Sequence, residues 1–276
     1  MIVIKSIGGL GNQMFQYALY LKYKSMGREV SFDDSGYVEG EPVQFELGKF
    51  GVKYDKPGFF DTLRYRDPWR KIFGSKSFVV YDEKLAVGYQ PEIYEIKKGC
   101  LKGYWQCEKY FKDIEAQIRD AYRFPDVLSD GCREMLEKIS AVNATSVHIR
   151  RGDYLEPKNA KNYSGICTKE YYERAMAYIR ERQPDTKFFF FSDDTKWVRE
   201  NLCSDGDEVV ECNHGEDNYL DMFLMSKCNN NIIANSSFSW WGAWLNEHPD
   251  KIVITPVRWF RHLEVSDAIC DSWTRV

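Results

Sequence analysis

The chain begins with an apolar run, Ile2-Val3-Ile4, which is followed by a glycine-rich loop and then by a helical pattern. Four apolar side chains recur there at helical spacing, Met14, Tyr17, Ala18 and Leu21. Gly27 follows as a stop signal, so the pattern predicts a helix from about Asn12 to Met26. The first unit of structure is therefore expected to be a strand, a loop and a helix.

From Ala144 onward, short apolar runs alternate regularly with helical repeats. The apolar runs predict five strands, at 146–150, 187–191, 208–211, 231–234 and 251–255. The repeats between them predict four helices, at about 171–180, 195–202, 217–227 and 238–246. This alternation is typical of a parallel sheet with helices on both faces, the Rossmann-like class. Ligands of such sheets bind beyond the carboxyl ends of the strands, so the candidate site residues are expected there.

The middle of the chain is harder to interpret. Residues 33–106 are rich in glycine, proline and aromatic residues without a sustained period, which predicts short strands, loops and small helices. A helix is expected from about 108 to 122, before Pro125. We place a domain boundary in the following stretch, which gives predicted domains of 1–135 and 136–276.

Composition limits the classes of function. The chain has 276 residues, of which 43% are hydrophobic and 29% charged, and a net charge of -4, so it lacks a general cationic field for nucleic acid or an anionic membrane. No apolar stretch is long enough to span a membrane, and no secretion signal opens the chain, so we expect a cytoplasmic protein without an integral membrane segment. The eight cysteines contain no C-x-x-C pair, which favours reduced thiols and gives no support to a zinc site.

The loop at residues 8–13 is the first candidate site. Glycines between a strand and a helix let backbone N–H groups approach an anion at the positive end of the helix. Its candidate residues are Gly9, Gly11, Asn12 and Gln13. The glycine spacing fits neither the dinucleotide fingerprint nor the Walker motif, so a plain tight turn with Asn12 as the helix N-cap stays open.

A second candidate site lies at residues 148–154, where the strand through Val147 ends. Arg150 and Arg151 leave the strand together, and burying two guanidinium groups is costly unless an anion meets them. The guanidinium fork matches phosphate oxygens, so a pyrophosphate is the expected partner. Salt bridges to nearby carboxylates are the alternative explanation.

Two carboxylates, Asp193 and Asp194, end the next strand. One of them is explained by a helix N-cap, while the other accepts from ribose hydroxyls or pairs with the arginines. A nearby Asp-x-Asp sequence, Asp205-Gly206-Asp207, resembles the metal motif of some glycosyltransferases. It precedes a strand instead of ending one, so we interpret it as a turn and predict no metal site.

The fourth candidate site begins at another strand-to-helix junction, with Asn235, Ser236 and Ser237. Hydroxyl groups and free N–H groups at a helix start can hold a second anion. The tryptophans that follow are expected in the core or in a pocket wall. On the preceding helix, the Asp221 carboxylate can accept from the N1–H and N2–H of a guanine, although such a residue is also an ordinary surface aspartate.

Taken together, residues 8–17, 148–154, 191–194 and 235–245 resemble the bacterial α-1,2-fucosyltransferases, and the motifs stand in that family's order. The resemblance implies an α/β fold of the GT-B type, with two Rossmann-like domains facing a cleft. It also implies transfer of L-fucose from GDP-β-L-fucose, with inversion, to O2 of a terminal β-galactoside. No metal or other cofactor is implied beyond this co-substrate. The acceptor would belong to lactose or to an O-antigen or capsule-type glycan.

The resemblance also assigns roles to residues. Domain 1–135 would bind the acceptor, and domain 136–276 would bind GDP-fucose. The implied donor-binding residues are Gly9, Gly11, Asn12, Gln13, His148, Arg150, Arg151, Asp193, Asp194, Asp221, Asn235, Ser236 and Ser237. Arg150, Asp153 and Asn12 are the catalytic candidates, with Arg150 as the principal pyrophosphate ligand. Asp153 is our first nominee for the base that takes the acceptor proton, and Glu156 is the second.

Three alternatives to this function stay open at the level of sequence. One is a GDP-fucose transferase of another linkage type, because the arginine motif recurs there. Another is a carbohydrate- or nucleotide-binding protein without catalysis, which the 16% content of aromatic residues would suit. A nicotinamide dehydrogenase is disfavoured by the glycine spacing.

Overall fold

The computed structural model describes residues 1–66, 69–73, 77–85, 88–263 and 267–276. The chain divides into two compact units, Met1–Arg123 and Phe124–Val276. The predicted boundary after residue 135 was placed too late. It falls inside a helix, Asp130–Ser140, whose apolar face belongs to the second unit.

The first unit contains a four-stranded sheet in the order β2-β1-β4-β3, and all its strand pairs are parallel. The strands are β1 (Ile2–Lys5), β2 (Val30–Asp33), β3 (Val79–Asp82) and β4 (Gly99–Lys102). The helices are α1 (Leu10–Ser25), α2 (Phe59–Leu63), α3 (Arg70–Phe73) and α4 (Glu115–Ala121). Short 3-10 helices span Leu47–Phe50, Pro91–Glu95, Glu108–Tyr110 and Lys112–Ile114.

Helix α1 is buried over most of its surface, including its glutamines Gln13 and Gln16. A helix covered on nearly all sides is a core element. Accordingly, α1 contains three tyrosines, and its two charged residues, Lys22 and Lys24, both lie in its last turn. The helix predicted for 108–122 is wrong as one element. Phe111 adopts a φ of -144°, which interrupts the helical path and leaves two 3-10 turns before α4.

The second unit contains a six-stranded sheet in the order β10-β9-β8-β5-β6-β7, again with parallel pairs. The strands are β5 (Ala144–Ile149), β6 (Lys187–Ser192), β7 (Glu208–Val209), β8 (Asn230–Ile232), β9 (Val253–Thr255) and β10 (Thr274–Arg275). The helices are α5 (Asp130–Ser140), α6 (Pro157–Tyr163), α7 (Lys169–Arg182), α8 (Thr195–Asn201), α9 (Tyr219–Lys227) and α10 (Ser237–Leu245). Two 3-10 helices, Asp153–Leu155 and Gly215–Asp217, lie between them.

The predicted α/β class with two parallel-sheet units is confirmed, and each of the five strands predicted after residue 144 is present. Besides its short 3-10 helices, three elements of the second unit were not predicted: α5, which lies in the stretch where we placed the domain boundary, β10 and α6. Strand β10 has two residues, too few for a periodic signal, and α6 begins at Pro157 within a polar stretch. Strand β5, buried along its whole length, lies between β6 and β8 and therefore near the middle of the sheet.

Candidate functional site

The two arginines that follow β5 meet the two aspartates that follow β6. The strands pair in parallel up to Ile149 and Ser192, so the residues beyond them emerge side by side. Arg150 places Nη1 3.1 Å from Asp193 Oδ2. Arg151 places Nε 3.0 Å from Asp194 Oδ2. Both arginines thus form the salt bridges that the sequence analysis gave as an alternative, and these pairs by themselves do not decide whether an anion also binds.

A tight turn after β5 closes this cluster. Asp153 Oδ1 lies 2.8 Å from Arg150 Nη2, so two carboxylates hold one guanidinium. The backbone N–H of Arg151 donates to Asp193 Oδ1 at 2.9 Å. A Cβ on Gly152 would lie 2.8 Å from Asp193 Oδ2, so only glycine lets that carboxylate approach the turn.

These ion pairs fix the arginines but do not use up their donors. A guanidinium group carries five N–H donors in a planar fork, and each pair described above uses only some of them. The Arg150 side chain is 38% exposed and that of Arg151 is 28% exposed. The Arg151 guanidinium also lies 4.1 Å from the ring centre of Trp197, which fixes its plane. An anion can therefore reach both groups without displacing the carboxylates.

His148, at the end of β5, is buried and uncharged. Burial lowers the pKa of His148 to about 4, the charge of Arg150 lowers it further, and Asp193 opposes the shift. Its Nδ1 has no hydrogen-bond partner within the described part of the chain. The ring centre lies 5.8 Å from that of Phe238, at the start of α10. A neutral imidazole here supports the arginine turn without adding charge.

The turn from β8 into α10 lies on the same side of the sheet, because helices of a parallel unit begin where strands end. The sequence predicted donor contacts from Asn235, but its side chain is 2% exposed and makes structural bonds: Nδ2 donates to Trp259 O at 3.1 Å, and Oδ1 accepts from Cys167 Sγ. That part of the prediction is wrong for the side chain. The Asn235 carbonyl accepts from Tyr154 OH at 3.0 Å, which joins this turn to the arginine turn.

The serines of this junction are arranged differently. Ser236 is the N-cap of α10 and Ser237 is its first residue, and neither hydroxyl is bonded to another described residue. The first N–H groups of any helix lack partners inside the helix. The N-terminus of α10 thus offers hydroxyl and N–H donors. The tryptophans that follow, Trp240 and Trp241, are fully buried in the core and do not line a sugar site.

Asp221 lies in the first turn of α9. Its Oδ1 accepts from Asn213 Nδ2 at 2.8 Å. Burial raises the pKa of Asp221 to about 6, while the hydrogen bond from Asn213 and the charge of His214 oppose the shift. Asn213 Oδ1 is buried without a hydrogen-bond partner among the described residues. A half-buried carboxylate beside an unsatisfied amide oxygen makes a strong acceptor pair, which suits a ligand that presents N–H groups.

In the first unit, the glycine loop differs from its prediction in one respect. Helix α1 begins at Leu10 with Gly9 as its N-cap, so Asn12 is not the cap. Gly8 adopts a φ of +78°, and a Cβ there would lie 2.5 Å from Asn12 Nδ2. Asn12 Oδ1 accepts from Gln106 Nε2 at 2.6 Å. Gly9 has open space where a Cβ would stand, whereas Gly11 is buried.

Gln13 has a structural role that excludes its side chain from ligand binding. Its Nε2 donates to Gly8 O at 2.9 Å and to Gln44 O at 2.7 Å, and its Oε1 accepts from Glu46 N at 2.8 Å. The side chain is fully buried. The prediction of Gln13 as a donor-binding residue is therefore wrong for the side chain, which ties the loop to residues 44–46.

The turn after β4 holds residues that sequence reasoning missed. Glu83 accepts from the backbone N–H groups of Tyr104 at 2.6 Å and of Trp105 at 3.1 Å. Burial raises the pKa of Glu83, and these two hydrogen bonds oppose the shift. Trp105 has a φ of +55°, an uncommon conformation outside glycine, and presents Gln106 toward Asn12. The one sequence signal was Gly103, which leaves room for Glu83.

The Asp-x-Asp sequence forms a turn, as predicted. Asp207 accepts from Phe188 N at 3.2 Å and from Ser204 N at 3.1 Å, and Gly206 adopts a φ of +93°. Phe188 is near the beginning of β6, so this turn lies at the opposite sheet edge from the arginines. Within the described residues, no three His, Cys, Asp or Glu side chains are grouped closely enough to hold a metal ion.

Comparison with known proteins decides the family. The model for "Glycosyl transferase family 11" matches residues 79–275. The chain belongs to glycosyl transferase family 11. It is 36% identical to the O-antigen biosynthesis glycosyltransferase WbnK of Escherichia coli, over 96% of this chain and 97% of that protein. The predicted family is thus confirmed.

Two further relatives of this family 11 chain differ in their named sugar. An alpha-1,2-colitosyltransferase of Escherichia coli is 34% identical over 100% of this chain and 98% of that protein. A galactoside alpha-(1,2)-fucosyltransferase 1 of Mus musculus is 26% identical over 86% of this chain and 61% of that protein. Among the helices that the structure describes in this family 11 member, none has the length and apolar character to cross a membrane.

Proposed function

We propose that this family 11 glycosyltransferase moves L-fucose from GDP-β-L-fucose to O2 of a terminal β-galactoside, with inversion and without a metal ion. The observation that carries the proposal is the pair of fixed, partly exposed arginines at the end of the central strand β5. The fucosyltransferase named among the relatives supports the sugar. The relative named for colitose, a sugar that lacks the 3-hydroxyl of fucose, defines the main competing donor. The named O-antigen relative supports a glycan acceptor.

The leaving group explains why two arginines are needed. Negative charge on the diphosphate increases as the glycosidic bond breaks, so a fixed cation at the β-phosphate stabilises the transition state more than the bound donor. Arg150 is our candidate for that cation, because Asp153 and Asp193 hold it in place before the donor arrives. Arg151 and the donors at Ser236 and Ser237 would complete the diphosphate site.

The guanine would bind at Asp221, where a carboxylate and the free oxygen of Asn213 are both acceptors. Guanine presents N1–H and the 2-amino group on one edge, so a carboxylate can accept both hydrogens. Asp194 is less suited to the ribose than the sequence suggested. It caps α8 by accepting from Trp197 N at 3.1 Å and also pairs with Arg151.

Asp153 is the candidate base that receives the proton of the acceptor hydroxyl. Its Oδ1 is buried against Arg150, while the side chain as a whole is 42% exposed, and we assign the contact with the acceptor to Oδ2. One oxygen can therefore hold the arginine while the other faces an incoming hydroxyl. Glu156, the second nominee, is exposed just before α6.

We assign acceptor binding to the first unit. Asn12 is the candidate residue there, because its amide is oriented by Gln106 and stands beside the open backbone at Gly9. Gly11 is a buried residue of the first helical turn, so we assign it to the packing of the loop and not to contact with a ligand.

The test is the release of GDP from GDP-fucose and from GDP-colitose, each with and without lactose and each in the presence of EDTA. We expect lactose-stimulated, EDTA-resistant release from GDP-fucose, with an α-1,2 linkage in the product. Faster release from GDP-colitose would identify colitose as the transferred sugar. A product with another linkage would assign the chain to a transferase of that linkage type. GDP binding without release on any tested galactoside would favour a non-catalytic binding protein.

A matched pair of variants tests the arginine argument. Arg150→Lys keeps the charge and loses the fork, so we expect turnover to fall by about 10²-fold or more. Arg199→Lys is the control, because Arg199 is an exposed arginine of the same unit that also pairs with a carboxylate, Glu211, and is not among the proposed diphosphate ligands. Near-normal turnover of Arg150→Lys would refute the role of the guanidinium fork.

A further inference from the structure

The first unit exposes an unusual group of large apolar side chains on and beside α2 and α3. The exposed fractions are 71% for Phe59, 72% for Phe60, 48% for Trp69, 70% for Ile72, 44% for Phe73 and 42% for Val79. Every exposed Phe or Trp among the described residues lies in this one segment. Single exposed apolar residues are ordinary, but a cluster of aromatic residues on one segment indicates a binding surface.

The segment is attached to the fold, so this exposure does not come from a detached loop. Between the two helices, Tyr65 is 2% exposed and donates to Asp33 Oδ2 at 2.9 Å. Arg66 lies 3.3 Å from the same carboxylate. Asp33 ends β2, so the segment is anchored at the edge of the sheet. Trp69 immediately precedes α3, and its carbonyl accepts from the N–H groups of Ile72 and Phe73, so these three side chains follow one another at a spacing of three and four residues on one face of the turn.

Cations surround these aromatic side chains. From residue 56 to 76 the sequence has six Lys or Arg residues against two Asp residues, in a chain whose net charge is -4. Arg70 and Lys71 are exposed and make no ion pair with a described carboxylate. Lys56 is exposed over 66% of its side chain and pairs with Asp34, and Arg64 is exposed over 44% and pairs with Asp61. The local charge is therefore opposite to that of the whole molecule.

We propose that the described residues of this segment, 56–66, 69–73 and 77–79, form a basic aromatic surface that binds an anionic phospholipid membrane. Aromatic side chains are favoured at the level of the lipid headgroups, and each nearby Lys or Arg adds attraction to anionic lipid. The combination of both side-chain types in one segment is the composition of an interfacial membrane-binding element. This inference does not depend on the proposed donor or acceptor.

A second copy of the chain is a poorer occupant for this surface. In a two-fold symmetric dimer the same patch faces itself, which would place cations against cations. Anionic headgroups, in contrast, neutralise the cations while the acyl region receives the aromatic rings. The charge of the basic aromatic surface therefore decides in favour of lipid.

The experiment is co-sedimentation of the full chain with vesicles of phosphatidylcholine alone or mixed with phosphatidylglycerol. We expect binding to the mixed vesicles, weak binding to phosphatidylcholine, and release at high salt. Arg70→Glu with Lys71→Glu should weaken binding by on the order of 25-fold or more, since each cation contributes about fivefold. Phe59→Ser with Phe60→Ser should weaken it by about tenfold or more, with less change in the salt dependence.

Matched controls lie on the second unit. Lys196→Glu reverses an 85% exposed cation, and Val127→Ser removes an 85% exposed apolar side chain. Both should bind vesicles like the unmodified chain. All variants change exposed side chains, so unchanged thermal unfolding will show that the fold is intact. A failure of the proposed transferase reaction would leave this assay unaffected.

A spectroscopic arm locates the contact. Brominated lipids quench tryptophans that reach the acyl region, so quenching should be present in the unmodified chain and largely lost in Trp69→Phe. The proposal would be overturned by equal binding of the charge-reversal and control variants, or by no binding to either vesicle. Self-association that Phe59→Ser with Phe60→Ser abolishes, without lipid binding, would assign the surface to a second copy instead.

Discussion

Replacing Asp221 with asparagine separates binding from stability, because the structure predicts opposite effects on the two. The carboxylate is half-buried, accepts one hydrogen bond from Asn213, and has a pKa that desolvation raises to about 6. At pH 7.5 it is ionised in a site that disfavours charge. Such a group is retained at a cost in stability, which is expected when a ligand needs the charge.

The effect on nucleotide affinity follows from the guanine edge. An asparagine can accept one of the two guanine hydrogens but directs its own N–H donors at the other. Hydrogen bonds to a charged group contribute about 1.5–3 kcal/mol, so Asp221→Asn should weaken GDP binding by about 10- to 100-fold. Xanthine has a carbonyl in place of the 2-amino group, and the new amide can donate to it. We therefore expect XDP to bind the variant better than it binds the unmodified chain.

The effect on stability has the opposite sign. A pKa raised from 3.8 to about 6 is a shift of about two units, or about 3 kcal/mol at most. For a raised carboxyl pKa, the stabilising contribution of the protonated form is present below pH 4 and is lost as the pH rises through 6. Asp221→Asn should therefore be more stable than the unmodified chain by about 1–3 kcal/mol at pH 7.5, and the difference should vanish near pH 4.

Calorimetric titration with GDP and XDP, and thermal unfolding at pH 4.5, 6 and 7.5, measure the two effects. Asp217→Asn is the matched control, because Asp217 is an exposed carboxylate just before the same helix. It should change neither property. GDP affinity that is unaffected by Asp221→Asn would refute the guanine assignment. A stability difference that does not grow between pH 4.5 and 7.5 would refute the argument from burial.

Four other substitutions give distinct expected outcomes. Gly152→Ala places a methyl group 2.8 Å from a carboxylate oxygen of Asp193, so GDP affinity measured by calorimetry should fall about tenfold as that carboxylate moves. Asp33→Asn should lower the free energy of unfolding by about 2–3 kcal/mol at pH 7, measured by urea unfolding. Burial acts to raise the pKa of Asp33, but hydrogen bonds and a nearby lysine outweigh it and lower the pKa to about 2. The difference between the variant and the unmodified chain should therefore shrink as the pH falls from 4 to 2. Gln13→Ala leaves three backbone groups without their partner, and the same assay should show a loss of about 2–4 kcal/mol. Asp153→Asn should lower kcat by about 10²-fold and remove the rise of kcat with pH on the acidic side; an unchanged pH profile would exclude Asp153 as the base.

The sequence predicted the elements whose signals are local. Strand β5 was predicted from a short apolar run and the helices after it from a period of 3.6 residues, and both signals can be read within a short window. Pairing between the arginines and Asp193 or Asp194 could also be foreseen as an alternative, because consecutive parallel strands end at the same edge. Which carboxylate meets which arginine depends on the register of β5 against β6, and that register is not written in either strand alone.

The features that the sequence did not predict depend on distant partners. The side chain of Gln13 is unavailable to a ligand because it hydrogen-bonds the backbone of Gln44 and Glu46. These residues lie in a part of the sequence without a helical or strand pattern, so their position beside Gln13 could not be predicted. The same is true of Glu83, whose role exists only once β3 lies beside β4. The domain boundary was misplaced because α5 is amphipathic, and its period does not reveal which unit buries its apolar face.

The charge balance around Arg150 shows why cations alone cannot hold the donor. Two guanidinium groups face the three carboxylates of Asp153, Asp193 and Asp194, and buried His148 adds no charge at neutral pH. The cluster therefore carries more negative than positive charge before an anionic diphosphate arrives. The arginines must offer their unused N–H donors without releasing the carboxylates, since a released carboxylate would repel the phosphate. The remaining attraction has to come from uncharged donors with fixed dipoles, and the free N–H groups and hydroxyls at the start of α10 are the ones that the second unit supplies. The carboxylates thus orient the arginines, and the helix terminus compensates for the charge that this orientation costs.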